Sequence, residues 1–556
     1  MFYRLIRLIL PLALLFLEVL SAAPASAGTV SDIIRRTVAE IRIHKNVKVA
    51  GAGIASHSVL PVLYEKRDYH PVWTDPAAVD QLLDAVAQSE EDGLRPIDYH
   101  FNQLKTLQSE SERPEGLSPE RSAAFDLLLT DSLVRLGYHL MFGKEDPVTF
   151  HPHWNLDQKI DDVDPAEMLQ AVIESCSVRP LMDDCISRHP AYSQMKSVLA
   201  RYRQIEASGG WELVPPGPTL ENGMTDARVP ALRRRLAATG DLAVEATLST
   251  EFDDPLEQAV IRFQIRHFLH PDGRVGKHTL QALNVSVEQR IGTIRVALER
   301  LRWVIRGVPK TYVVADIARF EAAYYKNNRQ LWKSRTQVGR PYRETPVFRS
   351  DITYLVFNPT WTVPPSILRK DILPAVRKDG GYLKARNIRV IDNSGNEIDM
   401  DAIDWDHVTG NNFPYQLRQD PGPSNALGRV KFIFPNPNHV YMHDTPSRAL
   451  FEKEDRAFSS GCIRIEKPLD LAQLLLDDPV TWTREKIEET IDSGQTRTVW
   501  LKKPVPVLLL YATAWVDEDG TVYFARDIYD RDPAVLEGLD SAFSMDQPPN
   551  GNRPAL

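Results

Sequence analysis

Near residue 310 the spacing of the apolar residues changes from helical to alternating, which limits the chain to helical modules followed by a β-rich one. Before the switch, Val79, Leu82, Leu83 and Val86 recur on one helix face with Gly93 as a stop, and Ser122 to Phe142 and Pro165 to Tyr202 carry the same pattern. After it, "TYVVADIARFEAAYYKNNRQLWKSRTQVG" alternates and turns at Asn327 and Asn328, which predicts antiparallel strands joined by a hairpin. "ITYLVFNPTWTVP", "RVKFIFP" and "HVYMH" continue in that manner. The predicted class is multidomain α+β.

Pro- and Gly-rich "WELVPPGPTL" marks the end of the first helical region. From Arg228 to Val285 three short helical patterns follow, with Leu232, Leu236, Ala259, Phe263, Leu280 and Leu283 as the expected core and Asp272, Gly273 and Gly276 in a turn. Ser286 and Gln289 form a capping-box pattern that starts a helix running to about Arg306. The predicted organisation is a leader over 1–27, a helical scaffold over 28–218, a small three-helix module over 219–285 and a closing helix over 286–308. A β-rich domain over 309–515 and a C-terminal extension over 516–556 complete it. Within the β-rich domain an insertion at about 361–428 interrupts the strand series. It reads as a lid or substrate loop, or else as a structural subdomain.

Arg4 and Arg7 precede an apolar run from Leu8 to Leu17, and Ala25-Ser26-Ala27 supplies a small-residue cleavage pattern, so 1–27 reads as a secretory signal peptide. An uncleaved anchor is the other reading. No later segment has the length and apolarity of a membrane span. A net charge of −9, with 66 Lys and Arg against 75 Asp and Glu, argues against a nucleic-acid partner. The 14 His are scattered without close Cys/His spacing and no Gly-rich phosphate loop appears, so neither a metal nor a cofactor is expected.

An exported chain with three Cys poses a question of pairing. Cys176 and Cys185 lie close enough to close a short loop, and whether they bond is left open. Cys462 then remains, as an accident, an intermolecular link, a buried small hydrophobe or a nucleophile. Its neighbours Ser459, Ser460, Gly461 and Arg464 are not those of a core position. A thiol attacks a carbonyl as thiolate and benefits from a base, and His443 on the predicted strand "HVYMH" shares a face with Tyr441. Gly461 lets the backbone turn so that the N–H groups of Gly461 and Cys462 face an oxyanion. Arg464 is suited to an anionic substrate carboxylate. Tyr441 lines the donor groove or packs. Trp361 covers the substrate or is a buried aromatic. Ser460 shapes the turn, and Asp444 fixes the strand end after His443.

Taken whole, the string His443, Ser459, Ser460, Gly461, Cys462, Arg464 resembles the catalytic motif of the L,D-transpeptidases, the YkuD-type cysteine enzymes of peptidoglycan. Ser460 stands where many members carry a second His, which leaves His443 as the base. That form is similar to the large periplasmic YcbB-type subfamily, as are "DGLRPIDYH", "VGRPYRETPVF", "NPTWTVPPSI" and "MHDTPSRALF". Ala259-Val260, Phe263-Gln264, Asp272-Gly273, Gly276, Thr279-Leu280 and Leu283-Asn284 resemble the hallmarks of a peptidoglycan-binding domain. The resemblance implies a periplasmic enzyme acting on tetrapeptide stems and glycan strands, alone or with cell-wall synthesis proteins. In it Cys462 attacks the carbonyl of the third stem residue, D-Ala leaves, and the amine of a second stem resolves the thioester into a 3→3 cross-link. It also implies acylation by carbapenems. Water or a lipoprotein lysine as acceptor, and a non-catalytic wall-binding scaffold, are the competing readings.

Overall fold

A computed structural model describes residues 28–44, 46–156, 164–243 and 249–543. The leader expected over 1–27 lies outside the described residues. Among those described, no helix is long and apolar enough to cross a membrane.

The helical domain is built around Pro119–Phe142, whose N-cap Ser118 accepts from the Arg121 amide. Leu127, Leu128, Leu129, Leu133, Leu136 and Leu140 are all buried there, so this helix is wrapped on most sides. Helices Val30–Ile43, Pro76–Gln88 and Phe101–Ser111 pack around it in one core. Val287–Val304 begins at the expected capping box, with Ser286 and Gln289 each bonding the other's amide, and shares a second core with Pro190–Ala207. Cys176 and Cys185 are free thiols: Cys185 is buried, and Cys176 receives a hydrogen bond from Gln81 Nε2 at 3.1 Å.

The stretch expected as an extension over 516–556 packs back onto the helical layers in its described part, up to residue 543. The hairpin Ala514–Val516 with Val522–Phe524 fills the core between the helices 190–207 and 287–304, and helix Asp532–Asp540 sends Val535 and Leu539 into the first helical core. Lys144 is buried where it donates to Asp98 and to the carbonyls of Leu539 and Ser541. These segments are short, and their apolar residues acquire meaning only against a partner, which is why no period betrays them.

The small module joins helices Val229–Ala238, Asp254–Arg266 and Lys277–Leu283 over a core in which Leu232, Leu236, Ala259, Phe263 and Leu283 are buried and Leu280 is half-buried. Buried Gln264 ties its turn together. Nε2 donates to Asp272 Oδ1, the Arg274 carbonyl and Thr279 Oγ1, and Oε1 accepts from the Gly273 amide.

The β-rich domain holds strands β1 (Tyr312–Asp316), β2 (Glu321–Lys326), β3 (Arg329–Gly339), β4 (Phe348–Phe357), β5 (Val430–Ile433), β6 (Met442–His443), β7 (Ala457–Ser459), β8 (Ile463–Ile465) and β9 (Arg497–Leu510). Their order is β7-β3-β8-β6-β5-β4-β9-β1-β2, and β2 pairs back onto β3. The β2–β3 hairpin turns at Asn327 and Asn328, both at positive φ, as expected. Helices Pro468–Leu476 and Arg484–Asp492 cover one sheet face, where Leu355, Phe357, Phe432, Met442, Ile463, Leu471, Leu475 and Ile487 form one core.

The stretch expected as an insertion carries a four-stranded sheet of its own, Trp361–Thr362, Gln416–Gln419, Ile388–Ile391 and Glu397–Ile398 in that order. Leu368, Leu373, Val376, Leu383, Val390 and Leu417 form a core beneath it. It is a subdomain with its own apolar interior. Trp361 packs into that interior, half-buried, so the substrate-covering role weighed for it has no support from its position.

Candidate active site

Strand geometry assembles the site. The pairs Lys431↔Val356, Lys431↔His443, His443↔Arg464 and Arg464↔Gln337 run across β4, β5, β6, β8 and β3 as one row. Side chains alternate faces along a strand, so this row points away from the helix-covered core that takes Phe432, Met442 and Ile463. One register position along, the Ile463 amide donates to the Tyr441 carbonyl, which sets Tyr441 beside Cys462 on the same face as His443 and Arg464. β6 is two residues long, yet it is flanked on both sides, and this fixes His443 in place.

His443 is buried, and its Nδ1 bonds the Asp444 carbonyl. A carbonyl only accepts, so Nδ1 carries the proton and the neutral ring keeps its lone pair at Nε2. Burial, then Arg464 and Lys431, push the imidazole pKa down to about 3. Burial raises the Cys462 thiol, opposed by hydrogen bonding from the Tyr441 backbone and by the charges of Lys431 and Arg464. Both shifts favour the neutral thiol and neutral imidazole over an ion pair. The thiol is half-buried and its hydrogen bond goes to the His439 carbonyl at 4.0 Å. Lys431, which the sequence reading passed over, sits with Nζ 3.6 Å from the Tyr441 ring centroid, and the Tyr441 and His443 rings lie 5.7 Å apart. Arg464 Nη1 donates to Gln337 Oε1 at 3.1 Å, while its Nε is buried without a partner.

The Cys462 turn is built by residues other than Cys462. Ser459 Oγ accepts from the Gly461 amide at 3.0 Å and donates to the Cys462 carbonyl at 2.6 Å. The Gly461 N–H is thus engaged, which corrects the expectation that it faces an oxyanion; the Cys462 N–H is what remains of that pair. Gly461 sits at φ +114°, a conformation that favours glycine. Behind it, fully buried Thr345 accepts from the Gly339 amide and donates to the Gly461 carbonyl, both at 2.9 Å. Tyr529, from the returning C-terminal stretch, accepts from the Thr345 amide and donates to the Gly339 carbonyl. A Cβ at Gly339 would stand 2.2 Å from the Arg343 carbonyl, so this loop closes only over glycine.

Ser460 Oγ accepts from Arg343 Nη1 at 2.8 Å, and the same Arg343 pairs with Asp371 of the subdomain, linking it to the turn. Asp444 is buried and receives the Arg429 amide, Arg429 Nε and Arg448 Nη1, so it pins the segment after His443 to the 428–429 corner. Gly428 makes room for it: a Cβ there would lie 2.5 Å from the Asp444 Cβ. Among the described residues no group of His, Cys, Asp and Glu is arranged to hold a metal.

Three family models match the chain. Residues 310–498 match an L,D-transpeptidase catalytic domain, 225–283 a domain described as "Putative peptidoglycan binding domain", and 58–199 a scaffold domain. A Haemophilus influenzae protein named "Putative L,D-transpeptidase" is 36% identical over 265 residues, 47% of this chain. The chain spans 53% of that relative's length. Among solved structures, the L,D-transpeptidase from Mycobacterium smegmatis is similar at 13% identity and a TM-score of 0.18, over 36% of this chain and 58% of its own. The L,D-transpeptidase from Xylanimonas cellulosilytica is similar at 14% identity and a TM-score of 0.17, over 53% of this chain and 98% of its own.

Proposed function

The chain joins a scaffold domain, a peptidoglycan-binding domain and an L,D-transpeptidase catalytic domain, and from that premise we propose that it cross-links peptidoglycan by cysteine acyl transfer. Cys462 attacks the carbonyl of the third residue of a tetrapeptide stem, D-Ala leaves, and a thioester forms. The side-chain amine of a second stem then attacks the thioester and gives a 3→3 link. The observation that supports this best is the single sheet face on which Cys462, His443 and Arg464 stand together.

His443 acts as general base through Nε2, the position its Nδ1 bond leaves free to accept. At rest the Cys462 thiol donates to the His439 carbonyl, and it must leave that contact to pass its proton to the ring. Since neither group is charged at rest, the thiol proton moves to the imidazole as sulfur attacks, and the imidazole returns it to the leaving D-Ala amine. The Cys462 N–H stabilises the oxyanion, a contribution of roughly 3 kcal/mol for one such donor. Arg464 holds a stem carboxylate. The enzyme works in the periplasm, where 1–27 delivers it, and the peptidoglycan-binding module keeps it on the glycan.

Mass spectrometry of the purified protein with disaccharide-tetrapeptide tests this. Expected products are free D-Ala and dimers joined between two third-position residues, with none from Cys462→Ala. Tripeptide without dimer would replace the amine acceptor by water. Full cross-linking by Cys462→Ala would refute the nucleophile.

A further inference from the structure

A second row on the active face leads away from the nucleophile. Trp500 pairs with Tyr354, and Tyr354 with Ile433. One position on from the Phe432↔Met442 and Met442↔Ile463 pairs, the same row continues through Tyr441 to Cys462. Trp500 is 68% exposed, far above an ordinary tryptophan of a sheet, and its ring lies 4.5 Å from that of half-buried Tyr354 at a 45° tilt. On the opposite face Leu501 is buried in the helix-covered core and half-buried Val499 packs against it, so nothing in the packing of the core requires an aromatic at 500. A large apolar surface left open at the end of a row that starts at a nucleophile has the character of a ligand platform.

We propose that the Trp500–Tyr354 platform is the subsite for the amino-sugar ring to which the donor stem is attached. Pyranose rings present a flat face of C–H groups, and a wide exposed indole with a tilted phenol beside it matches that face in size and polarity. The spacing fits the covalent length of the substrate. Strands stand about 4.8 Å apart, so Tyr354 lies about 14 Å and Trp500 about 19 Å from Cys462 along the sheet. Three extended stem residues reach about 10 Å, and the short ether arm that joins peptide to sugar adds a few more ångströms. A stem whose third carbonyl sits at Cys462 therefore brings the attachment point of its sugar to Tyr354, and the ring itself extends across the next strand spacing toward Trp500. Lys431 stands between them on the same face, facing a peptide that carries free carboxylates. This proposal rests on the acyl-transfer reading above, and it adds to it that the donor is recognised by its sugar as well as by its peptide.

The test compares two donors, disaccharide-tetrapeptide and the same tetrapeptide without sugar, by D-Ala release from the full chain. Trp500→Ala is expected to lower kcat/KM for the sugar-bearing donor about three- to tenfold, the range of one aromatic contact, and to leave the sugar-free donor unchanged. Trp500→Phe is expected to restore most of the loss. Equal loss on both donors, or no loss on either, would overturn the platform while leaving the reaction intact. Release of D-Ala from neither donor by the wild type would instead remove the acyl-transfer reading, and the platform with it.

Discussion

Thr345 offers the sharpest check on how the Cys462 turn is held. Its hydroxyl is the only part of the side chain that bridges the Gly339 amide and the Gly461 carbonyl, each at 2.9 Å and buried from water. Thr345→Val keeps the shape and removes the bridge, stranding one donor and one acceptor at roughly 1–3 kcal/mol apiece, or about 2–6 kcal/mol in all. Thr345→Ser keeps the bridge and deletes a methyl group, a loss of roughly 1 kcal/mol. The assay is the urea dependence of Cys462 labelling, resolved by peptide mass spectrometry from Cys176 and Cys185 so that it reports this turn rather than the several domains together. The valine variant should open at clearly lower urea than the serine variant. If serine opens first, packing and not hydrogen bonding holds the turn, and the reasoning is wrong.

Other outcomes follow from the same geometry. With the imidazole held near 3 and the thiol raised, alkylation of Cys462 should climb steadily from pH 6 to pH 9 without an inflection near 6.5, because the thiolate fraction grows with pH while the imidazole stays neutral; a plateau below pH 7 would show a preformed ion pair instead. Lys431→Met removes a cation that favours thiolate, so the midpoint of the same profile should move to higher pH, and a shift downward would refute that role. Asp371→Asn breaks the pair with the largely buried Arg343 and should speed amide exchange across 361–419, while the Arg343–Ser460 hydrogen bond keeps the alkylation rate of Cys462 within about twofold. Carbapenem adducts, followed by mass, should form at Cys462 and slow in His443→Ala; unchanged formation would assign activation of the thiol to another group.

Local signals made much of this architecture readable before any coordinates. The capping box at Ser286 and Gln289, the paired asparagines of the β2–β3 turn and the alternation of "RVKFIFP" all depend on residues a few positions apart, where period and turn chemistry act directly. The supports of the turn do not work that way. Thr345, Tyr529 and Lys431 reach the Cys462 region only through sheet register or a returning chain, and a lone Thr or Tyr in a loop carries no periodic mark. Ser459 stood in the motif, yet its bonds to Gly461 and Cys462 divert the very amide that the glycine suggested was free. The subdomain at 361–419 was visible as an interruption, whereas its separate sheet pairs 361–362 with 418–419, beyond the reach of local pattern.

The return of the C-terminal stretch has a consequence for the order of manufacture. When the ribosome has added Cys462, Tyr529 does not yet exist, and β9, which stands between β4 and β1 in the finished sheet, is still to come. The loop that backs the thiol therefore waits for the segment around Tyr529, and the helix just beyond it joins the helical layers through Val535 and Leu539. A chain cut between Cys462 and Tyr529 holds the Cys462 sulfur without its brace, so the motif and the support behind it are made at different times.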